Sequence, residues 1–302
     1  MSARLLEPPA ARQGPGPVAQ PLVEAIDLSL SRLVVRTLPG ERRAVGLGAG
    51  TELAQLRPYQ IGDDVRHIDP AATARTGQAH VRLHVPERSV TTWLVLDVSP
   101  SMAFGTAQRL KADVAEGVAL VFGRVGVRRA GSVGLVAFGA AAPRVLPPRG
   151  SRPGMVALRR VLAEGVAPDG RHDTNGLANA LRRAGRLARQ PGLVVLISDF
   201  RDQHHWERPL GSLRMRHSVI AVEISDPREQ ELPSVGHLAL IDPESGERIE
   251  IDTSSERVRR RFAELERERR AAVARELRRL RVDHVSLSTA EDWLLALGRQ
   301  VR

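Results

Sequence analysis

Four short runs, "VTTWLVLDVS", "SVGLVAF", "GLVVLISDF" and "SVIAVEIS", are almost continuously apolar, and segments of helical periodicity separate them. A strand that is apolar at consecutive positions has both faces buried. Such strands alternating with helices predict a mostly parallel sheet covered on both sides, a doubly wound α/β domain. Helices are expected at about 106–128, 153–164, 174–189 and 205–217, with "APRVLPP" pairing beside the second strand. Residues 231–253 read as a hairpin turning at Pro243 to Gly246. A long helix is expected from Ser255 to Arg281, capped by Ser254 or Ser255, with Val258, Phe262, Leu265, Val273, Leu277 and Leu280 on its buried stripe. The strand "DHVSLS" and the helix "AEDWLLALGRQ" follow.

The region before this series has a different character. Residues 1–21 are rich in Pro, Gly and Ala without periodicity and read as a disordered leader. Leu22, Val23, Ile26, Leu30, Leu33 and Val34 recur at helical spacing. In "HVRLHV" Val81, Leu83 and Val85 alternate with His80, Arg82 and His84, as in a half-buried strand. The expected division is therefore a leader at 1–21, a smaller N-terminal region at 22–89 and the α/β domain at 90–302.

Ligands of open parallel sheets bind beyond the carboxyl ends of the strands. Three such ends carry hard oxygen donors: Asp97, Ser99 and Ser101 after "WLVL", Thr174 in "RHDTNGL", and Asp199 in "LISDF". Two carboxylates and three hydroxyls suit a hard divalent cation such as Mg2+ or Mn2+.

"DVSPS" with a distant Thr174 and a strand-terminal Asp199 resembles the metal-ion-dependent adhesion site of von Willebrand factor type A domains. The upstream stretch "GAGTELAQLRPYQIGDDVRHIDPAATARTGQAHVRLHVPER" resembles the bacterial domain-of-unknown-function 58 family, and the two resemblances together run from about Arg43 onward. Pro70 departs from that family's usual tryptophan. The resemblance implies a von Willebrand factor A-like, Rossmann-like fold. It also implies a cation (Mg2+, Mn2+ or Ca2+) touched by the hydroxyls of Ser99, Ser101 and Thr174 and held by Asp97 and Asp199 directly or through water. One open position would accept a partner's carboxylate, which makes the site adhesive rather than catalytic. The partner implied by resemblance is a MoxR-type AAA ATPase, or its clients.

Signature residues Arg57, Tyr59, Gly62, Asp63, Asp64, Arg66, Asp69 and Arg75 lie in the upstream stretch. Their charges are expected to form a salt-bridged clasp that docks the N-terminal region or meets a partner. His204-His205 reads as a surface loop rather than a second metal site.

Composition bounds the alternatives. The chain has 302 residues and no cysteine, which excludes disulfides, thiolate metal sites and cysteine nucleophiles. Lys111 is its one lysine and has no phosphate-cradling glycines before it, so a P-loop is excluded. No apolar run is long enough to span a bilayer and the first residues lack a signal peptide's apolar segment, so a cytoplasmic location is expected. A haloacid dehalogenase-like phosphotransfer enzyme would need a second aspartate at position 99 and a phosphate-binding lysine, for which no suitable place is seen in the sequence. The formal charge is +10, yet the glutamates interleaved along Ser255–Arg281 argue for ion pairs on a solvated face rather than for nucleic-acid binding. The function expected is binding, not turnover.

Overall fold

The computed structural model describes residues 14–37, 52–85, 90–128, 131–142, 144–168, 176–202, 205–242 and 246–301. The chain divides into two compact units, Met1–Leu38 with Val90–Arg302, and Pro39–Ser89. Helix α1 (Gln20–Thr37) belongs to the larger unit.

In the smaller unit, β1 (Glu52–Pro58) and β2 (His80–Val85) pair antiparallel, with Arg57 opposite Val81. Between them lies α2 (Pro70–Thr76). The Asp69 side chain caps it by accepting from Ala72 N, and Gly77 ends it at φ 72°. Pro70 occupies the first helical position, where its missing N–H costs nothing. The departure from tryptophan is thus accommodated locally, with Pro70 exposed.

The larger unit continues with β3 (Thr91–Asp97), α3 (Lys111–Val127), β4 (Ser132–Phe138), β5 (Arg144–Gly150), α4 (Ser151–Leu162) and α5 (Gly176–Leu187). Then come β6 (Leu193–Ser198), α6 (Glu207–Arg214), β7 (Ser218–Ser225), the hairpin β8 (His237–Ile241) and β9 (Arg248–Asp252), α7 (Glu256–Arg279), β10 (Asp283–Ser288) and α8 (Trp293–Gln300). The central sheet runs β10-β7-β6-β3-β4-β5. All its pairings are parallel except β4 with β5. The chain builds outward from β3 through β4 to one edge, then returns to lay β6 on the other flank of β3. In open parallel sheets ligands bind where the order reverses in this way, here at the carboxyl ends of β3 and β6.

Period-two alternation fills both faces. Leu94 and Leu96 of β3 join one cluster with Val23 of α1, Val118 of α3, Leu158 of α4 and Leu297 of α8. Trp93 and Val95 point the other way, into a cluster with Leu181 of α5, Leu210 of α6 and Leu277 of α7. This is the doubly wound, mostly parallel sheet that the apolar runs predict. Among the described residues no helix is long and apolar enough to cross a membrane.

Four expectations are corrected. Helix α1 groups with the α/β domain rather than with residues 39–89, because Val23, Ile26 and Leu30 are buried in its core. Residues 14–21 are ordered: the Trp293 indole N–H donates to Pro15 O at 2.9 Å, and Arg109 Nε donates to Gly14 O at 3.2 Å. Residues 1–13 lie outside the described residues. Helix α3 starts at Lys111 rather than Thr106, because Thr106 N and Oγ1 donate to Asp226 and hold that stretch as a loop. On α7 Val273 and Leu277 are buried, whereas Leu265 is 48% exposed, since the first half of the helix extends past the sheet core.

Candidate functional site

Asp97 is the last residue of β3 and stands opposite Phe138 of β4, with Asp199 just past the end of β6. The two carboxylates are therefore neighbours because two parallel strands end side by side. Asp97 Oδ1 accepts from Ser99 N at 2.9 Å, and Oδ2 accepts from Ser198 Oγ at 2.6 Å. Ser99 leads into a short 3-10 turn, Pro100–Ala103, that brings Ser101 around to the same side. Ser99 Oγ lies 3.0 Å from Ser101 Oγ, and Ser101 Oγ donates to Asp199 Oδ2 at 2.8 Å. Asp97, Ser99, Ser101 and Asp199 thus form one continuous chain of contacts, and all are buried.

The neighbouring loops close on it. Gly139, at φ 87°, lies so near Ser99 that an added Cβ would stand 2.6 Å from Ser99 N. Helix α5 begins beside it, with Gly176 against Phe138 and Gly139, and Asp202 accepts from Leu177 N at 3.1 Å in its first turn. Thr174, just before that helix, lies outside the described residues, as does His204. His205 is exposed.

The sequence reading overlooked the residue that most alters the electrostatics. Lys111, at the first position of α3, is fully buried; its Nζ donates to Asp199 Oδ2 at 2.7 Å and to Glu229 Oε1 at 2.6 Å. Arg201 stands behind it, with Nε 3.2 Å from Glu229 Oε1, its guanidinium on Glu266 and its backbone N donating to Asp199 Oδ1 at 3.1 Å. The signal available was that one lysine occurs among 45 basic residues. Its position also bears on the phosphotransfer alternative, for which no suitable lysine was seen in the sequence: the ammonium reaches Asp199. It donates there to the carboxylates of Asp199 and Glu229, however, and Ser99 still stands where such chemistry requires a second aspartate.

The two aspartates consequently differ. Burial, then the proximity of Asp199, pushes Asp97 up to about 7. Burial would also raise Asp199, but the Lys111 ammonium outweighs it and holds that carboxyl below its usual range. Burial works against the charged form of Lys111, yet Asp199 and Glu229 keep its pKa above the ordinary value. Asp199 has a cation within reach, whereas Asp97 accepts from the neutral donors Ser99 N and Ser198 Oγ.

This donor set fits a hard divalent ion. It contains oxygen alone, and a hydroxyl that gives its proton to a carboxylate, as Ser101 does, still presents lone pairs to a cation. A second positive centre would also relieve the buried carboxylate Asp97. Among the described residues no group of three or more His, Asp or Glu is placed to hold a metal, so the two serine hydroxyls would have to complete the set.

The charged signature residues pair among themselves and with their near neighbours. Arg57 forks Asp63 at 2.9 and 2.7 Å, and Gln60 N donates to the same carboxylate at 2.8 Å. Tyr59 N donates to Ala79 O at 2.7 Å, Gly62 turns the chain at φ 106°, and Asp64 pairs with Arg66 at 2.7 Å. Asp69 caps α2 and takes Arg82 Nε at 2.7 Å, while Arg75 is exposed in the last turn of that helix. These ion pairs close within the smaller unit.

Comparison with known proteins places this geometry in context. The family described as protein of unknown function DUF58 matches residues 55–272. The uncharacterised protein Rv1480 of Mycobacterium tuberculosis is 38% identical over 305 residues, covering 98% of this chain and 94% of that protein. Among solved structures, the conserved hypothetical protein BatB of Bacteroides thetaiotaomicron aligns with TM-score 0.43 and 14% identity, over 70% of this chain and 97% of that one. A von Willebrand factor type A protein of Catenulispora acidiphila aligns with TM-score 0.35 and 18% identity, over 45% of this chain and 33% of that one.

Proposed function

For a chain that belongs to the DUF58 family, we propose that the pocket is a metal-dependent protein-interaction site and that the chain is an adaptor or co-chaperone rather than an enzyme. The observation that carries this reading is the unbroken run of contacts Asp97, Ser99, Ser101, Asp199, each link 3.0 Å or shorter. Asp97, Ser99, Ser101 and Asp199, with Thr174, would hold Mg2+, or Mn2+ or Ca2+ in its place. Bound there, the ion supplies a positive centre with a position open to a partner's carboxylate.

The chain's own residues prepare that capture. Ser198 and Ser99 N hold the Asp97 carboxylate by its two oxygens, and Ser101 orients Asp199. The same 3-10 turn presents Phe104, 40% exposed in a chain with few aromatics. An exposed ring beside a polar centre is a common interface anchor. By family resemblance the partner is a MoxR-type AAA ATPase or one of its clients, met in the cytoplasm.

Calorimetric titration with Mg2+ and capture of a co-expressed MoxR-type ATPase test the reading together. Asp97→Ala is expected to abolish Mg2+ uptake and partner capture, whereas Phe104→Ala keeps the ion and weakens capture by roughly tenfold. Equal recovery of the ATPase by wild type and Asp97→Ala would refute it.

A further inference from the structure

We infer that the Lys111 ammonium is the pocket's own counter-ion and competes with a divalent cation for Asp199, an inference that rests on the metal reading above. The composition singles this residue out first. Of 45 basic side chains only Lys111 is lysine, and it is held at 0% exposure between two carboxylates. A guanidinium is a broad planar fork, whereas an ammonium is a compact point charge that fits between two oxygens. Lysine at this position is therefore a matter of size and charge density, against the chain's general preference for arginine.

The geometry then sets the competition. Asp199 Oδ2 takes both Lys111 Nζ and Ser101 Oγ, and Oδ1 takes Arg201 N. A divalent ion brought against this carboxylate meets a fixed positive charge in a water-poor site, where like charges repel strongly. Lys111 has a second acceptor outside the cation site, Glu229 Oε1 at 2.6 Å. Glu229 ends a short 3-10 turn after β7, and its other oxygen accepts from Asp226 N at 3.1 Å. Asp226 in turn binds Thr106 and Thr289.

The ammonium is thus shared between a carboxylate that belongs to the cation site and one that does not. Arrival of an ion shifts its pairing toward Glu229, and departure of the ion returns it to Asp199. Two consequences follow: the pocket stays electrically closed without metal, and divalent affinity is held down in the wild type. Occupancy is also transmitted from the end of β6 to the turn after β7, and through Asp226 to the loops at Thr106 and Thr289.

The experiment exploits the single lysine. Full-length protein grown with isotope-labelled lysine gives one side-chain signal, which is followed during a Mg2+ titration beside calorimetry of wild type and Lys111→Met. The expected result is a signal that moves in step with calorimetric saturation, and Mg2+ binding to Lys111→Met that is tighter by roughly tenfold or more. If Mg2+ binds the wild type while the lysine signal stays still, or if Lys111→Met binds no more tightly, the competition is overturned and the metal site stands. If neither protein takes up Mg2+, the metal reading itself fails and this inference with it. Where Lys111→Met does not fold, the wild-type signal decides alone.

Discussion

Gly139 controls the pocket at the scale of one carbon atom. Its φ of 87° lies in the left-handed region, and an added Cβ would meet Ser99 N at 2.6 Å and Ser99 Cβ at 2.7 Å. Gly139→Ala is therefore expected to cost about 1–3 kcal/mol of stability, with Ser99 displaced and the Mg2+ response of the melting temperature lost. A variant that melts with wild type and keeps that response would show that the loop has room to yield. Gly139 could not be read from the sequence, because the clash involves the backbone of residue 99, which is on a different loop. Asp97, Ser99, Ser101 and Asp199 could be read, because each lies at a strand end and parallel strands bring their ends together. Lys111 and Glu229 could not: the ammonium's two partners lie 88 and 118 residues along the chain, and Lys111 opens a helix rather than ending a strand.

Among the elements, α3 and α7 mark where periodicity stops being informative. Apolar spacing continues upstream of Lys111, but Asp226 takes Thr106 out of the helix by a contact 120 residues away. Periodicity alone reports no such contact. On α7 the stripe predicts six buried side chains; the sheet covers Val273 and Leu277 and leaves Leu265 at 48% exposure. Leu277→Ala should therefore cost about 2–5 kcal/mol by cavity formation, whereas Leu265→Ala should stay within about 0.5 kcal/mol. Urea midpoints at unchanged slope separate the two, and equal losses would mean that the first half of α7 is covered in solution. The interleaved charges of α7 pair as their spacing implies, Arg261 with Glu264, Arg269 with Glu266 and Arg279 with Glu276. Solvent-exposed pairs of that kind contribute little to stability. They lower the basic character of the face more than they stabilise the helix.

At the scale of the whole molecule, acid should loosen the larger unit through His217. This ring is buried just before β7, and burial, then the charge of Arg216, lowers its pKa from the ordinary 6.5. The unfolded chain therefore takes up the proton first, so the stability present above 6.5 is lost as pH falls through the folded value. His217→Leu should flatten the fall in urea midpoint between about pH 7.5 and pH 5.5, and an unchanged slope would assign the acid sensitivity elsewhere. The division of the chain was the least legible feature, for a reason tied to distance. The apolar stripe of α1 is plain in the sequence, yet nothing local says what it covers; its neighbour is α8, and the bond from Trp293 to Pro15 spans 278 residues. Adjacency suggested grouping α1 with residues 39–89, whereas burial groups it with the sheet, where Val23, Ile26 and Leu30 are 1% exposed or less. A chain beginning at Val90 would lose those three side chains at about 1.5–3 kcal/mol each and expose the face of α8 that they cover. A chain in which a short flexible linker replaces residues 39–89 would keep them. The second is expected to melt in one cooperative transition near the wild-type temperature and the first to melt far lower or aggregate; similar melting of the two would show that α1 contributes little to the core.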